Sequence, residues 1–216
     1  MCGYSMISVF VKEMGGAWFG LAYVGEKIVA TAVDSSKERT IKSIVGSIQS
    51  GVEHRIVEVG SVFAERTISM LRELESGNET SKSFSLSGEY VSEPVAKVLR
   101  AAAAIPVGYV TSYGNIAKAA DTGPRVVGHI MATNILYPIV PCHRVVGADF
   151  SLVGYGGRKN LPALRAKLAR LNREARGFGK EKEILVNGRK LMVYPVEYVA
   201  RKAKRKGLDS SSQQAL

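Results

Sequence analysis

Hydrophobic and polar positions change period along this chain, and the changes predict its elements. Residues 5–11, 17–24 and 27–33 are short runs rich in β-branched and aromatic residues, separated by Gly15-Gly16 and Gly25-Glu26. Runs punctuated in this way predict an antiparallel meander of strands. After Ser35-Ser36 the pattern becomes helical, with Ile41, Ile44, Val45 and Ile48 at i, i+3, i+4 and i+7. Ile56, Val57 and Val59 predict either another strand or a buried loop. A second helix follows, with Val62, Ile68, Leu71 and Leu74 on its buried side. Residues 75–83 are polar, contain Gly77 and read as a loop. Residues 84–86 fit one more strand before a boundary near residue 90.

From there the pattern is helical. Ser92 is placed to cap a helix over residues 93–105, with Pro94 in the first turn, where a missing N–H is tolerated. Ile105-Pro106-Val107-Gly108 breaks it. Thr111 or Ser112 can cap a short helix through Ala120, Asp121-Thr122-Gly123 makes a turn, and Pro124 starts a helix to Thr133. Two short helices joined by a tight glycine-containing turn suit a helix-turn-helix, and equally any pair of helices in a helical core. Another helix covers residues 161–174, with Leu164, Leu168 and Leu171 on one face. Residues 183–186 and 189–193 flank Asn187-Gly188, a strong signal for a hairpin with a type I′ turn. Residues 195–206 read as a basic helix and 209–216 as a disordered polar tail. No internal repeat is visible.

Length and charge sharpen this division. The 216 residues suffice for one large domain or two small ones. With 46% hydrophobic and 23% charged residues, the chain is neither wholly disordered nor collagen-like. No apolar run is long enough to span a membrane. The first ten residues lack a basic region ahead of an apolar core, so no secretory signal is expected. The two cysteines, Cys2 and Cys142, cannot build a disulfide framework or a metal cluster alone, which favours a reducing, cytoplasmic setting. The formal net charge is +11. It is −2 over residues 1–90, +7 over 91–175 and +6 over 176–216, as counted along the sequence. Such segregation predicts a scaffold domain (1–90) and a remainder that meets a polyanion, with nucleic acid as the first candidate partner.

The stretch richest in chemistry is Val140-Pro141-Cys142-His143-Arg144-Val145-Val146. A thiolate is the nucleophilic form of cysteine, and cationic neighbours favour it. His143 can take the proton and Arg144 can add positive potential. If the segment is a strand, adjacent side chains point to opposite faces, and His143 reaches the sulfur through a water. A buried, inert cysteine fits the same letters.

Pro141-Cys142-His143-Arg144-Val145, with apolar residues on both sides, resembles the active-site signature of the O6-alkylguanine-DNA alkyltransferases, the methylated-DNA–protein-cysteine methyltransferases. Ile105-Pro106-x-Gly108-x-Val110-x-Ser112-Tyr113-Gly114 resembles the family's segment before its helix-turn-helix. Arg125-Val126-Val127-Gly128 resembles the start of its recognition helix. Asn134 stands eight residues before Cys142, as in the family, and Gly154-Tyr155-Gly156-Gly157 resembles its glycine-rich active-site loop. The resemblance covers about residues 91–175, and residues 1–90 fit the family's variable N-terminal domain by position and pattern.

The resemblance implies a fold of the α/β (α+β) class. Its N-terminal part is a ribonuclease-H-like β-meander with helices, and its C-terminal part a helical, winged-helix-like helix-turn-helix domain. It implies a DNA-repair protein that flips an O6-alkylated guanine out of double-stranded DNA and transfers the alkyl group to its own cysteine, once per molecule. Extrusion is required because a stacked base is out of reach, and a damaged, weakly paired base costs less to extrude. By the same resemblance Cys142 is the acceptor, His143 the water-relayed base and Glu174 the carboxylate that orients it, within Lys167-x-x-x-Leu171-x-x-Glu174. Asn134 holds backbone around the cysteine turn. Tyr113 crowds the target phosphate and can donate to guanine N3, and Arg125 fills the vacated stack. Tyr155 lines the base pocket, Val145 offers its carbonyl to the guanine 2-amino group, and Met131 packs under the pocket. Gly128 and Arg144 complete the set expected at substrate and DNA.

Some positions depart from the family pattern. Val126 and His129 are larger than the small residues common along the recognition helix. Gly156 stands where some members have serine, so a backbone N–H must serve O6. The loop before Glu174 is longer than usual, and Asn134-Ile135-Leu136-Tyr137-Pro138 moves a proline by one place. With Cys2 and His54 as the only soft ligands in the N-terminal part, no zinc site is expected. No cofactor is expected either, and the protein is expected to act as a monomer. Three other readings remain open: a non-catalytic lesion binder, whose relatives lack the acceptor cysteine; a helix-turn-helix regulator with a structural Cys142; and a cysteine hydrolase, which needs an oxyanion hole and a base across the sulfur.

Overall fold

The computed structural model describes residues 6–78, 85–86 and 91–208. Among these residues the chain is a mixed α+β protein with two sheets and seven α-helices. It divides into two compact units, one of Met1–Glu93 with Ile135–Ile139, the other of Pro94–Asn134 with Val140–Leu216.

The first unit opens with the meander β1 (Ile7–Met14), β2 (Ala17–Val24) and β3 (Lys27–Asp34), antiparallel throughout. α1 (Lys37–Val45) follows, capped by Ser36, whose hydroxyl accepts from the Arg39 N–H at 3.2 Å. It stops before Ile48 because Gly46 and Ser47 are weak helix formers. β4 (His54–Val57) pairs in parallel with β1, so the Ile56 segment is a strand and not a loop. α2 (Val62–Glu75) is capped by Ser61, and β5 (Ser85–Leu86) lies parallel to β3. The order is β4-β1-β2-β3-β5. Ile7, Val9, Ala22, Val29, Ala30 and Ile44 are buried together, and Ile135 packs against them. Val62 differs from expectation. At the first position of α2 it projects into solvent, 78% exposed, while Ile68, Leu71 and Leu74 are buried. Cys2, Phe84, residues 87–90 at the expected boundary and the expected disordered tail 209–216 lie outside the described residues.

The second unit is not purely helical. After α3 (Glu93–Ala103) come β6 (Tyr109–Ser112), α4 (Tyr113–Ala120), α5 (Pro124–Ala132), β7 (Val145–Val146), α6 (Leu161–Arg173), β8 (Lys182–Val186), β9 (Arg189–Pro195) and α7 (Glu197–Arg205). A sheet ordered β7-β6-β9-β8 runs through the unit. β6 pairs with β9 through Tyr109↔Pro195 and Val110↔Tyr194, and with β7 through Thr111↔Val145. The sequence pattern passes over β6 and β7 because four and two residues are too few to establish an alternation. Ser112 caps α4, its hydroxyl accepting from Asn115 N at 3.0 Å. Asp121, left-handed at φ +57°, ends α4, and Pro124 takes the first turn of α5. Val110, Val146, Leu168, Leu171, Val196, Val199 and Ala203 share one core cluster. The residues beyond 176 therefore bury apolar side chains with the motif-bearing segments. Removing residues 200–216 would take out Ala203, so single substitutions probe this region more cleanly than truncation.

Candidate active site

Cys142–Arg144 form a single 3₁₀ turn, not the strand that the apolar flanks suggest. The Arg144 N–H donates to the Pro141 carbonyl at 2.9 Å, and Cys142 N–H to Val140 at 2.9 Å. At three residues per turn, successive side chains leave in three directions. One adjacent triplet can therefore send Cys142 into a pocket and both His143 and Arg144 to a common carboxylate.

That carboxylate is Glu174, the residue just after α6. His143 Nε2 lies 2.7 Å from Glu174 Oε1. Arg144 grips Glu174 twice, Nε to Oε2 at 2.8 Å and Nη2 to Oε1 at 2.9 Å, and donates through Nη1 to the Ile105 carbonyl at 2.7 Å. All three side chains are buried. Burial pushes the Glu174 pKa up, but the hydrogen bonds from His143 and Arg144 outweigh it and hold the group at about 2. Burial lowers the His143 pKa, with the Glu174 hydrogen bond pulling the other way. A neutral imidazole facing an ionised, acceptor-only carboxylate carries its proton on Nε2. Nδ1 is then the basic nitrogen.

Cys142 is buried, and burial raises its thiol pKa. The Asn134 side chain and the positive charges of Lys167 and Arg170 act in the opposite sense. Asn134 also donates to the Val140 carbonyl at 2.7 Å, tying the end of the segment after α5 to the cysteine turn. Lys167 has no solvent exposure. Its ammonium donates to the carbonyls of Val145 at 2.5 Å and Gly154 at 3.0 Å and stands 5.9 Å from the Tyr113 ring centroid. Burial brings its pKa down to about 8. The sequence reading gives Lys167 no role. The available signal is its spacing, three residues after Leu164 and four before Leu171, a cation on the apolar face of an amphipathic helix.

Cys142 is one wall of a cavity of about 450 Å³, a size suited to a small ligand. Tyr113 from α4, Arg125, Gly128 and Met131 from α5, and Tyr155 and Gly156 from the following loop line it as well. The loop closes as a two-residue hairpin. Tyr155 N–H donates to Arg158 at 2.9 Å and Arg158 N–H to Tyr155 at 3.0 Å, with Gly156 and Gly157 at φ +55° and +73°. Two positive φ values in succession are the type I′ turn, in which glycine costs least. Tyr113, largely buried, has its pKa pushed up to about 12 by burial and by the nearby Cys142, so it keeps its proton. The expected residues thus fall into two groups. Tyr113, Arg125, Gly128, Cys142, Tyr155 and Gly156 line the cavity, while Asn134, His143, Arg144, Val145 and Glu174 are not part of its lining. Val145 is fully buried in β7, and its carbonyl takes the Lys167 hydrogen bond. Among the described residues no group of His, Cys, Asp and Glu is placed to hold a metal ion, and no helix is long and apolar enough to cross a membrane.

A helix-turn-helix beside a pocket with a cysteine thiol in its wall defines a DNA-binding protein with a cysteine nucleophile. Comparison with known proteins narrows the class. Residues 93–176 match the model of the 6-O-methylguanine DNA methyltransferase DNA-binding domain. A methylated-DNA–protein-cysteine methyltransferase of Methanocaldococcus jannaschii is 30% identical over 168 residues, 76% of this chain and 94% of that protein. One from Pyrobaculum aerophilum is 58% identical over 53 residues, 24% of this chain and 36% of that protein. The crystal structure of an O6-methylguanine-DNA methyltransferase from Pyrococcus kodakaraensis has a TM-score of 0.57 and 26% identity, covering 78% of this chain and 99% of that one. The chain belongs to the methylated-DNA–protein-cysteine methyltransferase family.

Proposed function

We propose that this protein repairs double-stranded DNA by drawing an O6-alkylated guanine into the cavity and moving the alkyl group irreversibly to Sγ of Cys142. The observation that carries the reading is Cys142 on the cavity wall, in one turn with His143 and Arg144, both of which are held by Glu174. His143 Nδ1 takes the thiol proton through a water, since Nε2 is committed to Glu174. The thiolate attacks the alkyl carbon, the S–C bond forms, the C–O6 bond breaks, and the electron pair leaves with the guanine. Tyr113, protonated well above neutral pH, is a donor for the departing base. A thioether has no route back to the thiol here, so each molecule acts once. The test is intact mass after incubation with O6-methylguanine DNA. One added methylene unit, mapped to Cys142 and never exceeding one per molecule, supports the reading. Multiple turnover, or no adduct, overturns it.

Arg125 lies exposed on the first turn of α5, suited to fill the space a flipped base leaves. Arg125→Ala is expected to slow transfer from duplex DNA about ten- to a hundredfold, the effect of a stacking side chain worth ~1–3 kcal/mol. Transfer from free O6-benzylguanine, which needs no extrusion, should stay near wild type. Tyr113→Phe keeps the ring that crowds the phosphate and removes the hydroxyl that donates to the departing base, so its losses should be milder and fall on both substrates alike. Equal losses from Arg125→Ala on both substrates would place Arg125 in the pocket chemistry instead.

The basic extension reads as a phosphate clamp. Arg201, Lys204 and Arg205 are exposed and stand at i, i+3 and i+4 on α7, opposite the buried Val199 and Ala203. Replacing all three by alanine is expected to flatten the slope of log affinity against log salt by about 0.9 for each phosphate that these cations neutralise. An unchanged slope means α7 does not touch the phosphates. In this reading the first unit is a ribonuclease-H-like scaffold, the second a winged-helix-like reader, and the protein works as a cytoplasmic monomer. In the division 1–90, 91–175 and 176–216, the first boundary follows the step in charge and the second the end of the segment that resembles the family.

A further inference from the structure

The β8–β9 hairpin lies beyond the segment that the family model matches, yet its tip is bonded to the helix-turn-helix. The last carbonyls of any α-helix lack partners within the helix. In α4 the Ala117 carbonyl accepts from both Asp121 and Thr122, the two residues that begin the turn toward α5. The next two carbonyls are taken by the hairpin. Arg189 Nη1 donates to Lys118 O at 3.0 Å, and Asn187 Nδ2 to Ala119 O at 3.3 Å. Arg189 Nη1 also stands 3.1 Å from the carboxylate of Asp121, the left-handed residue that reverses the chain. The Asn187 amide reaches a third element: Nδ2 donates to Lys97 O on α3 at 2.9 Å, and Oδ1 accepts from Arg100 Nε at 3.2 Å. Both amide hydrogens and the amide oxygen are thereby engaged. One side chain joins the hairpin tip to α3 and to the end of α4.

We infer that the β8–β9 hairpin is a brace for the helix-turn-helix, with Asn187 and Arg189 as positioning residues that fix the end of α4 and so the direction in which α5 meets duplex DNA. The inference rests on the duplex-repair reading above. The sequence supplies the hairpin with what the brace requires. Asn187 sits at φ +52°, where asparagine is among the few residues with a tolerable backbone, and Gly188 follows at +73°. The position that makes the turn therefore also carries the amide that makes the clamp. Neither residue lines the cavity, so neither touches the reacting groups.

The test uses the full chain and two substrates, duplex O6-methylguanine DNA and free O6-benzylguanine. Asn187→Gly keeps the turn and removes the clamp. Asn187→Asp keeps the acceptor for Arg100 but loses both donors, and Arg189→Ala removes the bonds to Lys118 and Asp121. Each is expected to lower the duplex rate about five- to tenfold, the usual effect of losing one or two hydrogen bonds, with the free-base rate within about twofold of wild type. Arg189→Lys, which retains a donor and a charge, should recover part of the duplex rate. A wild-type duplex rate for Asn187→Asp, or equal losses on both substrates, overturns the brace. Absence of transfer by the unaltered protein refutes the repair reading itself, so the two failures are distinguishable.

Discussion

Cys142→Ala is expected to abolish alkyl transfer from both duplex DNA and free base while leaving affinity for DNA within about twofold of wild type. The sulfur supplies the only bond formed in the reaction, whereas affinity for a polyanion comes from surface cations. Cys142→Ser should be equally inert, because an alcohol in the same buried site is a far weaker acid than a thiol. The environment of Cys142 gives the wild-type rate a direction with pH. Burial raises the thiol pKa, and the Asn134 hydrogen bond with the charges of Lys167 and Arg170 only partly compensates. The thiolate population grows as pH rises, and free-base transfer should accelerate in the same sense until the thiol is fully ionised. Single-turnover rates read by mass spectrometry, together with binding isotherms for the same variants, check both halves. A folded alanine variant that loses binding as well as transfer would show that the thiol and the surface do not act separately.

Glu174→Gln is expected to have the largest effect on stability. It leaves Arg144, 1% exposed, without its anionic partner, and breaking one side of a buried ion pair costs about 3–5 kcal/mol. The pH dependence follows from the position of the titration. Glu174 is held at about 2 against an ordinary value of 4.5. A carboxyl depressed on folding contributes stability that is present above its unfolded value and is lost as pH falls toward its folded one. Wild-type stability should therefore fall between about pH 5 and pH 2, by an amount on the order of 3 kcal/mol from this group. The glutamine variant should begin lower and lack that share of the slope. Denaturant unfolding at a series of pH values decides it, and parallel acid limbs would remove Glu174 from the account. Transfer should slow at least about tenfold as well, since an unsupported imidazole is a poorly directed base.

What could be read in the sequence was whatever a few neighbouring residues settle among themselves. The meander, the opening of α1 after Ser35-Ser36, the Ser112 cap and the Asn187-Gly188 turn are local matters of period, hydroxyl and backbone freedom. The cysteine segment was legible as a chemical string, but its shape was not. Apolar flanks suggest a strand, and only the pull of Glu174, more than thirty positions along the chain, makes sense of a turn that sends His143 and Arg144 to one carboxylate. β6 was hidden because Tyr109–Ser112 acquires its identity from β9, some eighty residues away. Lys167 stood in the pattern around Glu174 without a role for the opposite reason. A lysine among leucines looks like a solvated edge until the carbonyls of Val145 and Gly154 are brought to it. Ile135–Ile139 shows the limit of reading by blocks. It follows the recognition helix directly in sequence, yet it belongs with the first unit, where Thr31 N–H donates to Ile135 O at 2.8 Å.

The hairpin at Gly156-Gly157 constrains how the wall of this cavity can change. Its two-residue length fixes the register of Tyr155, and inserting a single residue would turn that ring to the opposite face. Space is not the obstacle at Gly156, where a Cβ would meet nothing within 4 Å, but its φ of +55° excludes most side chains. Asparagine and aspartate tolerate that backbone best, and of these only asparagine carries a hydrogen-bond donor. A side-chain donor for a bound base can thus enter this rim at the least backbone cost as asparagine, whereas a serine there has to be accommodated by a shift of the turn.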